Sequence, residues 1–342
     1  MRREPEGIVR DIESAGAGDV FEPYAAPAWL PGPHVQTVYP ALLPRPALVY
    51  RRERWDTPDG DIVHLDWIDG RVGAPLLVLF HGLEGGSRSH YALAMMRAVL
   101  ACGWHGVVYH FRGCGGAPNR LPRAYHSGDT AEADWVLPRL KARFPDVPMC
   151  GVGFSLGGNL LLKWLGEKGR AAGDLIAGAA AVSAPLDLMA SGAVLERGFN
   201  RFYARVFLAT LKPKVLEILD RHPQLCDRNR LLRARTMRQF DDTFTAPVHG
   251  FRDTDDYWTR ASSRPWLGRI AVPTLVLNAR NDPFLPERAL PEPCEVSDRV
   301  TLELPAEGGH VGFCTGPFPG RVDWLPRRLL GFLAATLPPL LL

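Results

Sequence analysis

The 342-residue sequence has no apolar stretch long enough to cross a bilayer. Its N-terminus, MRREPEGIVRDIESAGAGD, also lacks the apolar run of a secretory signal. The C-terminal run LLGFLAATLPPLLL has only 14 residues and two prolines, which favours a last helix and an apolar tail over a membrane span. These absences predict a cytoplasmic protein without a transmembrane segment, although transient contact with a membrane stays open.

Patterns for metals, cofactors and disulfides are missing as well. The six cysteines, at positions 102, 114, 150, 226, 294 and 314, include no C-x-x-C pair, which disfavours a disulfide framework or a zinc site and fits a reducing compartment. The sequence has no Walker pattern, no H-E-x-x-H and no dinucleotide fingerprint after a first strand, so we expect no cofactor and no metal. A net charge of only +3 implies no nucleic-acid partner.

The strongest chemical pattern lies in 147–166, VPMCGVGFSLGGNLLLKWLG. It predicts a short apolar strand, a tight turn, and a helix with its apolar residues on one side. A side chain at Gly153 or Gly157 would collide with the neighbouring strand or helix, while the turn lifts Ser155 clear of the sheet. The helix also brings free N–H groups to the place where an oxyanion would form. The pattern favours a nucleophilic Ser155, and the alternative is a structural strand-to-helix turn.

Strands and helices alternate along most of the chain. Residues 48–69 predict two antiparallel strands joined by a turn at 58–60. The run 76–80 is continuously apolar, as is typical of a strand buried on both faces. Further strands are predicted at 106–110, 176–183, 274–279 and 300–304, and helices at 89–101, 129–143 and 322–337. This alternation predicts an α/β fold with a mostly parallel central sheet flanked by helices.

Two segments interrupt the alternation. Residues 1–46 are predicted to be a proline-rich segment that wraps the domain surface, with residues 1–20 poorly ordered and residues 24–46 in extended form. The prolines of 24–46 disfavour a regular helix, and its apolar residues do not suit a solvated tail. Within it, His34 is interpreted as a hydrogen-bonded structural histidine rather than a functional one. Residues 186–262 are predicted to be a helical cap inserted into a core made of 47–185 and 263–342.

The predicted cap is apolar on one side and basic on another. Phe199, Phe202 and Phe207 fall at helical spacing, and we expect them to line a substrate site. Across 195–240 there are 11 Lys and Arg against 4 Asp and Glu. This excess is either a solvated helix face or a surface that attracts an anionic lipid or acyl-thioester headgroup.

A nucleophilic serine needs a histidine base and a carboxylate that orients the base, and in a sheet of this kind they follow it in the order acid, then histidine. His310 lies in a glycine-flanked loop just past the last predicted strand, whereas His222 and His249 fall in the cap. Asp282 directly follows the strand at 274–279, where such an acid belongs. The alternative is that Asp282 only closes its turn.

Three cap carboxylates, Asp253, Asp255 and Asp256, also lie between the serine and His310 in chain order. They sit in a polar, turn-rich segment, and no strand delivers them to the edge of the sheet. Asp282 is therefore the favoured acid.

The oxyanion needs two backbone donors. One is the N–H of Leu156, the residue after the nucleophile, and the other is expected from the loop after the third strand, where Leu83 lies in His81-Gly82-Leu83. His81 precedes the turn that carries the serine, so it is interpreted as a residue that shapes this loop.

These motifs resemble the α/β-hydrolase fold and, within it, the YheT-like hydrolases related to eukaryotic membrane-lipid hydrolases. The resemblance runs from Pro27 to the C-terminus. It rests on several specific stretches: HGLEGG (81–86), FRGCGG (111–116), HSGDT (126–130), GFSLGGN (153–159), RQFDDTFTAP (238–247), YWTRAS (257–262), NARNDPF (278–284) and GHVGF (309–313). It implies a carboxylic-ester hydrolase with a Ser155–Asp282–His310 triad.

The sequence thus predicts a serine hydrolase that cleaves a carboxylic ester, with a medium or long acyl group or a lipid ester as the substrate, through an acyl-Ser155 intermediate. Two alternatives stay open. One is an acyltransferase or thioesterase with the same triad, and the other is a catalytically silent binding protein on the same scaffold.

Overall fold

The computed structural model describes residues 22–337. Residues 1–21 of the predicted N-terminal segment and residues 338–342 of the predicted core lie outside this range. Eight strands form one sheet in the described chain: β1 (Arg51–Asp56), β2 (Ile62–Ile68), β3 (Leu76–Phe80), β4 (His105–His110), β5 (Met149–Phe154), β6 (Gly178–Val182), β7 (Thr274–Leu277) and β8 (Val300–Glu303).

Across the sheet the strand order is β1-β2-β4-β3-β5-β6-β7-β8. β1 pairs antiparallel with β2, and β2 pairs antiparallel with β4. All the later neighbours pair in parallel. The prediction of an α/β fold with a mostly parallel sheet is therefore confirmed, and each predicted strand is present with ends shifted by up to three residues.

The helices of the described chain are α1 (Pro33–Leu42), α2 (His90–Ala101), α3 (Thr130–Arg143), α4 (Leu156–Lys168), α5 (Leu188–Leu195), α6 (Asn200–Arg221), α7 (Arg228–Arg233), α8 (Met237–Phe240), α9 (Ala246–Val248), α10 (Thr254–Ala261) and α11 (Trp324–Thr336). A π-helical segment, Asp241–Thr245, joins α8 to α9. Short 3₁₀ segments occupy Gly169–Asp174, Arg264–Arg269, Glu287–Ala289 and Pro293–Glu295. Among these helices, none is both long and apolar enough to cross a membrane.

Helices cover both faces of the sheet. The apolar residues of α3 and α4 join one core cluster, and those of α2 and α11 join the other. All five residues of β3 are buried, as are those of β5 and β6. A strand with helices on both sides has no solvated face, which is why these stretches read as continuous apolar or small-residue runs.

Helix α1 contradicts the expectation of an extended N-terminal segment. The chain enters it through Gly32, which has a φ of 80°, and Pro33 occupies its first turn. A proline costs little there, because the N–H it lacks would have no partner inside the helix. Pro40 lies two residues before the helix ends, so little of the helix follows it. The prediction that proline excludes a helix here was wrong for 33–42.

Helices α5 to α10 lie between β6 and β7, within the stretch predicted as a cap. Side chains from α6, α8 and α10 form a core cluster separate from the two clusters on the sheet. Leu208, Leu211 and Val215 of α6 pack there with Phe240 and Trp258. The cap helices are therefore held together by their own buried apolar surface.

Candidate active site

Ser155 stands in a strained turn between β5 and α4. Its φ is 50° and its ψ is −120°, a conformation that a residue with a side chain rarely adopts. A Cβ added to Gly157 would lie 2.3 Å from the carbonyl oxygen of Phe80, and one added to Gly153 would lie 2.4 Å from the carbonyl oxygen of Gly157. Glycine is thus required on both sides of the serine, as the sequence predicts.

The structure brings Ser155, His310 and Asp282 together. The Nε2 of His310 lies 2.9 Å from Oγ of Ser155, and its Nδ1 lies 2.8 Å from Oδ2 of Asp282. The Asp282 side chain is fully buried, and 11% of the His310 side chain is exposed. The three groups form a continuous hydrogen-bonded chain at the carboxyl edge of the sheet, and Ser155 is the one of the three that stands at the start of a helix.

Asp282 uses its two oxygens for different tasks. Oδ1 accepts a hydrogen bond from the N–H of Phe284 at 2.7 Å, which closes the turn after β7. Oδ2 is left for His310. The turn-closing interpretation and the triad interpretation of Asp282 therefore hold together. With Nδ1–H of His310 donated to the carboxylate, Nε2 presents its lone pair to the Ser155 hydroxyl.

Leu83 and Leu156 are the two residues expected to donate backbone N–H groups to an oxyanion. Both line the cavity that contains Ser155. A Cβ added to Gly82 would lie 3.2 Å from Cβ of Ser155, so the loop carrying Leu83 passes directly against the serine. Within 22–337 the N–H of Leu83 has no hydrogen-bond partner. This N–H is therefore free to bind an oxyanion.

His81 has a structural role, as the sequence suggested. It is fully buried, and its Nδ1 lies 2.7 Å from the carbonyl oxygen of Gly82. Its Nε2 accepts the N–H of Phe111 at 3.2 Å. Burial lowers the pKa of the imidazole to about 3, so the ring is neutral and both nitrogens are occupied in fixing the loop.

Other histidines and acids considered from the sequence lie elsewhere. His222 follows the end of α6, and His249 packs its ring 4.5 Å from that of His126, where burial lowers the pKa of His249 to about 3. Asp253 accepts the N–H of Asp256 at the start of α10. None of these side chains contacts His310 in the described part of the chain.

Sequence reasoning missed two residues of α1 that hold the histidine loop. Oε1 of Gln36 accepts the N–H of Gly308 at 3.0 Å and the side-chain amide of Asn281 at 2.8 Å. Oγ1 of Thr37 accepts the N–H of His310 at 2.9 Å. Gln36 is buried and also donates to Glu307. Helix α1 thus fixes both the loop that carries Asp282 and the loop that carries His310.

We expect Gln36→Leu to lower kcat about tenfold with little change in KM, because His310 loses its fixed position while the lining of the cavity beside Ser155 is unchanged. Steady-state kinetics on a soluble ester measure this effect. Gln224→Leu, at an exposed position after α6, is the matched control and should leave kcat unchanged. A Gln36→Leu protein that is folded and fully active would show that α1 does not position the base.

A cavity of about 470 Å³ opens beside Ser155 under the cap helices. Its lining is mainly apolar and includes Phe207, Leu211 and Val215 of α6. Phe207 therefore lies where the sequence analysis expects an acyl-binding residue. Phe199 and Phe202 do not line the cavity and are 56% and 53% exposed. Two of the three phenylalanines that were expected to line a substrate site therefore face solvent instead.

The lining of the cavity includes an ion pair, Lys214 with Glu84, and a buried carboxyl group, Asp241. Nζ of Lys214, from α6, lies 2.9 Å from Oε1 of Glu84, which follows the loop of Leu83 and has a φ of 56°. Asp241 in the π-helical segment is buried and accepts a hydrogen bond from Nε1 of Trp258 at 2.9 Å. Burial raises the pKa of this carboxyl to about 7. The Lys214–Glu84 pair ties the cap to the loop beside the nucleophile.

Known proteins resemble this chain in sequence and in fold. Residues 75–317 match the family model described as alpha/beta hydrolase fold. The chain is 41% identical to YheT of Escherichia coli (strain K12) over 311 residues, which cover 89% of this chain and 91% of that protein. It is 33% identical to mouse phospholipase ABHD3 over 327 residues, which cover 92% of this chain and 79% of that protein. The structure of the Pyrococcus furiosus esterase Pf2001 superimposes with a TM-score of 0.53 at 15% identity, over 84% of this chain and 91% of that one.

Proposed function

The chain belongs to the α/β hydrolase fold family, and from that premise we propose that it is a serine esterase with Ser155 as nucleophile, His310 as base and Asp282 as the orienting acid. The observation that carries the proposal is the continuous hydrogen-bonded chain from Ser155 through His310 to Asp282. This arrangement supplies an activated nucleophile without any other group.

In the proposed acylation step, Oγ of Ser155 attacks the carbonyl carbon of the ester as its proton moves to Nε2 of His310. The carbonyl electron pair moves onto the oxygen, which accepts the N–H groups of Leu83 and Leu156. The carbonyl then reforms, the bond to the alkoxy oxygen breaks, and that oxygen leaves as an alcohol with the proton from His310. The buried carboxylate of Asp282 stabilises the imidazolium while it exists.

Deacylation repeats these steps with water as the nucleophile. His310 takes a proton from the water molecule as its oxygen attacks the acyl carbon. Collapse of the second tetrahedral intermediate breaks the bond to Ser155 Oγ, which recovers its proton from His310, and the carboxylic acid leaves. An alcohol or thiol acceptor in place of water would make the protein an acyltransferase, and product analysis with such acceptors separates the two reactions.

The cavity supports an acyl substrate of medium or long chain. Phe207, Leu211 and Val215 provide apolar wall, and the space of about 470 Å³ is within the range of small-molecule sites. A relative of this chain is named a phospholipase, which supports a lipid ester among the substrates. The small-molecule ester is the proposed partner of the site.

We expect Phe207→Asp to lower kcat/KM for a dodecanoate ester at least tenfold more than for a butanoate ester. Each methylene removed from water contributes about 0.8 kcal/mol, so losing contact with two of them corresponds to roughly tenfold. Hydrolysis of soluble p-nitrophenyl esters of both lengths measures the ratio.

Phe202→Asp is the matched control, because its side chain lies on the same helix but outside the cavity. It should leave the ratio between the two esters unchanged. Equal losses for both esters in Phe207→Asp would mean that this side chain only holds the cap together.

A further inference from the structure

Helix α1 presents an apolar row to solvent. Val35, Val38 and Leu42 follow one another at intervals of three and four residues, so they lie on one face. Their exposed fractions lie between 39% and 74%. The opposite face carries Gln36, which is buried against the histidine loop. The outward face of α1 is therefore apolar, while its inward face carries the buried Gln36 and Pro40.

The start of α6 repeats this arrangement. Phe199, Phe202 and Val206 are also spaced by three and four residues and are about half exposed. Leu208 and Leu211 on the same helix are buried in the cap core. The three exposed side chains are thus not needed to hold the cap together.

Helices α1 and α6 meet at His34, which precedes Val35 on α1. The ring of His34 lies 4.6 Å from that of Phe199, and its Nδ1 lies 3.3 Å from the hydroxyl of Tyr203. This hydrogen bond fits the structural interpretation of His34. We call the combined area, formed by Val35, Val38, Leu42, Phe199, Phe202 and Val206, the α1–α6 surface. It holds six of the large apolar side chains that are exposed in residues 22–337.

Three arginines border the α1–α6 surface. Arg197, Arg201 and Arg205 recur every four residues and are all exposed. In the described chain, none of the three has a carboxylate within ion-pairing distance. Their positive charge is therefore available to a partner outside the chain.

We propose that the α1–α6 surface docks on a lipid bilayer that contains anionic headgroups. Aromatic and aliphatic side chains beside a row of arginines match the chemistry of an interfacial surface, in which apolar groups enter the headgroup boundary and the cations meet lipid phosphates. A second copy of the chain fits less well, because a symmetric dimer through this surface would bring the two rows of arginines towards each other.

The docking surface leads towards the candidate active site. The ring of Tyr203 lies 4.7 Å from that of Phe284, which lies 4.2 Å from the ring of His310. Phe207, one residue after the end of the exposed row on α6, lines the acyl cavity. A bilayer on this surface would therefore lie against α6, the helix that supplies Phe207 to the cavity. The docking itself does not depend on the proposed reaction.

Co-sedimentation with vesicles tests the proposal. We expect the wild-type chain to bind vesicles of equal parts phosphatidylglycerol and phosphatidylcholine, and to bind pure phosphatidylcholine at least tenfold more weakly. Phe199→Ser/Phe202→Ser should weaken binding to both vesicles by tenfold or more, since burial of each phenyl ring is lost. Arg201→Glu/Arg205→Glu should remove the preference for phosphatidylglycerol.

Two control variants match these changes. Val49→Ser/Val72→Ser alters exposed apolar residues elsewhere. Arg170→Glu/Arg299→Glu reverses two exposed arginines, one in the 3₁₀ segment after α4 and the other directly before β8. Both should bind as wild type does. The Ser155→Ala protein should also bind normally, so that a failure of the proposed chemistry is not mistaken for a failure of docking.

Any of three results would overturn the proposal. The first is that the wild-type chain sediments with neither vesicle, and the second is that Phe199→Ser/Phe202→Ser binds like wild type. The third is that light scattering finds a dimer that Phe199→Ser/Phe202→Ser dissociates. The last result would assign the surface to a second copy. Hydrolysis of a soluble butanoate ester by the phenylalanine variant should equal that of wild type, which shows that the variant is folded.

Discussion

Replacing Ser155 with alanine is expected to lower kcat for ester hydrolysis by roughly 10⁵-fold or more while the protein stays folded. The substitution removes the only atom that forms the acyl bond and leaves the backbone hydrogen bond from its N–H to Val182 in place. The backbone strain at a φ of 50° is the same for alanine as for serine, because both have a Cβ. The free energy of unfolding should therefore change by about 1 kcal/mol or less.

Steady-state kinetics measures the loss of kcat, and denaturant unfolding measures the change in the free energy of unfolding. Ser191→Ala is the matched control, because Ser191 lines the same cavity but its hydroxyl makes no hydrogen bond within 22–337. It should keep activity within a few-fold of wild type. Turnover near the wild-type rate in Ser155→Ala would show that Ser155 is not the nucleophile.

Replacing Asp282 with asparagine should lower kcat by roughly 10²–10⁴-fold. The asparagine oxygen can still accept the N–H of Phe284, which directs its amide N–H₂ towards Nδ1 of His310. That donor favours the tautomer with the proton on Nε2, and Nε2 can then no longer accept the proton of Ser155. The loss should appear in kcat, measured on a short soluble ester that needs few cavity contacts.

The cap carboxylates provide the control for this variant. Asp255 is exposed and pairs with Arg238, and Asp253 accepts a backbone N–H at the start of α10. Their replacement by asparagine should cost about tenfold or less. An active Asp282→Asn protein, together with an inactive but folded variant at one of these positions, would show that the orienting acid is a cap residue and not Asp282.

Much of the sheet could be predicted because its signals are local. The continuous apolar run of β3 marks a strand buried on both faces, and glycines flank the serine where the chain turns between β5 and α4. Helix α1 could not be predicted from proline content, because the cost of a proline depends on its position within the helix. Pro33 lies in the first turn, where it is compatible with the helix.

The parts of the site that escaped prediction depend on contacts between distant residues. Gln36 meets the loop of His310 across 272 positions of the chain, and no local pattern near either residue indicates this contact. The expectation for Phe199, Phe202 and Phe207 failed in part for a related reason. Spacing tells which residues share a helix, but only the packing of the cap decides which of them turns towards the cavity.

Labelling with a fluorophosphonate probe, read by intact mass and peptide mapping, tests the central claim most directly. A serine made nucleophilic by His310 and Asp282 should react with the electrophilic phosphorus, because this attack needs the same activated oxygen as acylation. The account predicts one adduct per wild-type chain, located on Ser155, and none on Ser155→Ala. A folded wild-type protein that takes up no probe, or an adduct that persists in Ser155→Ala, would contradict it.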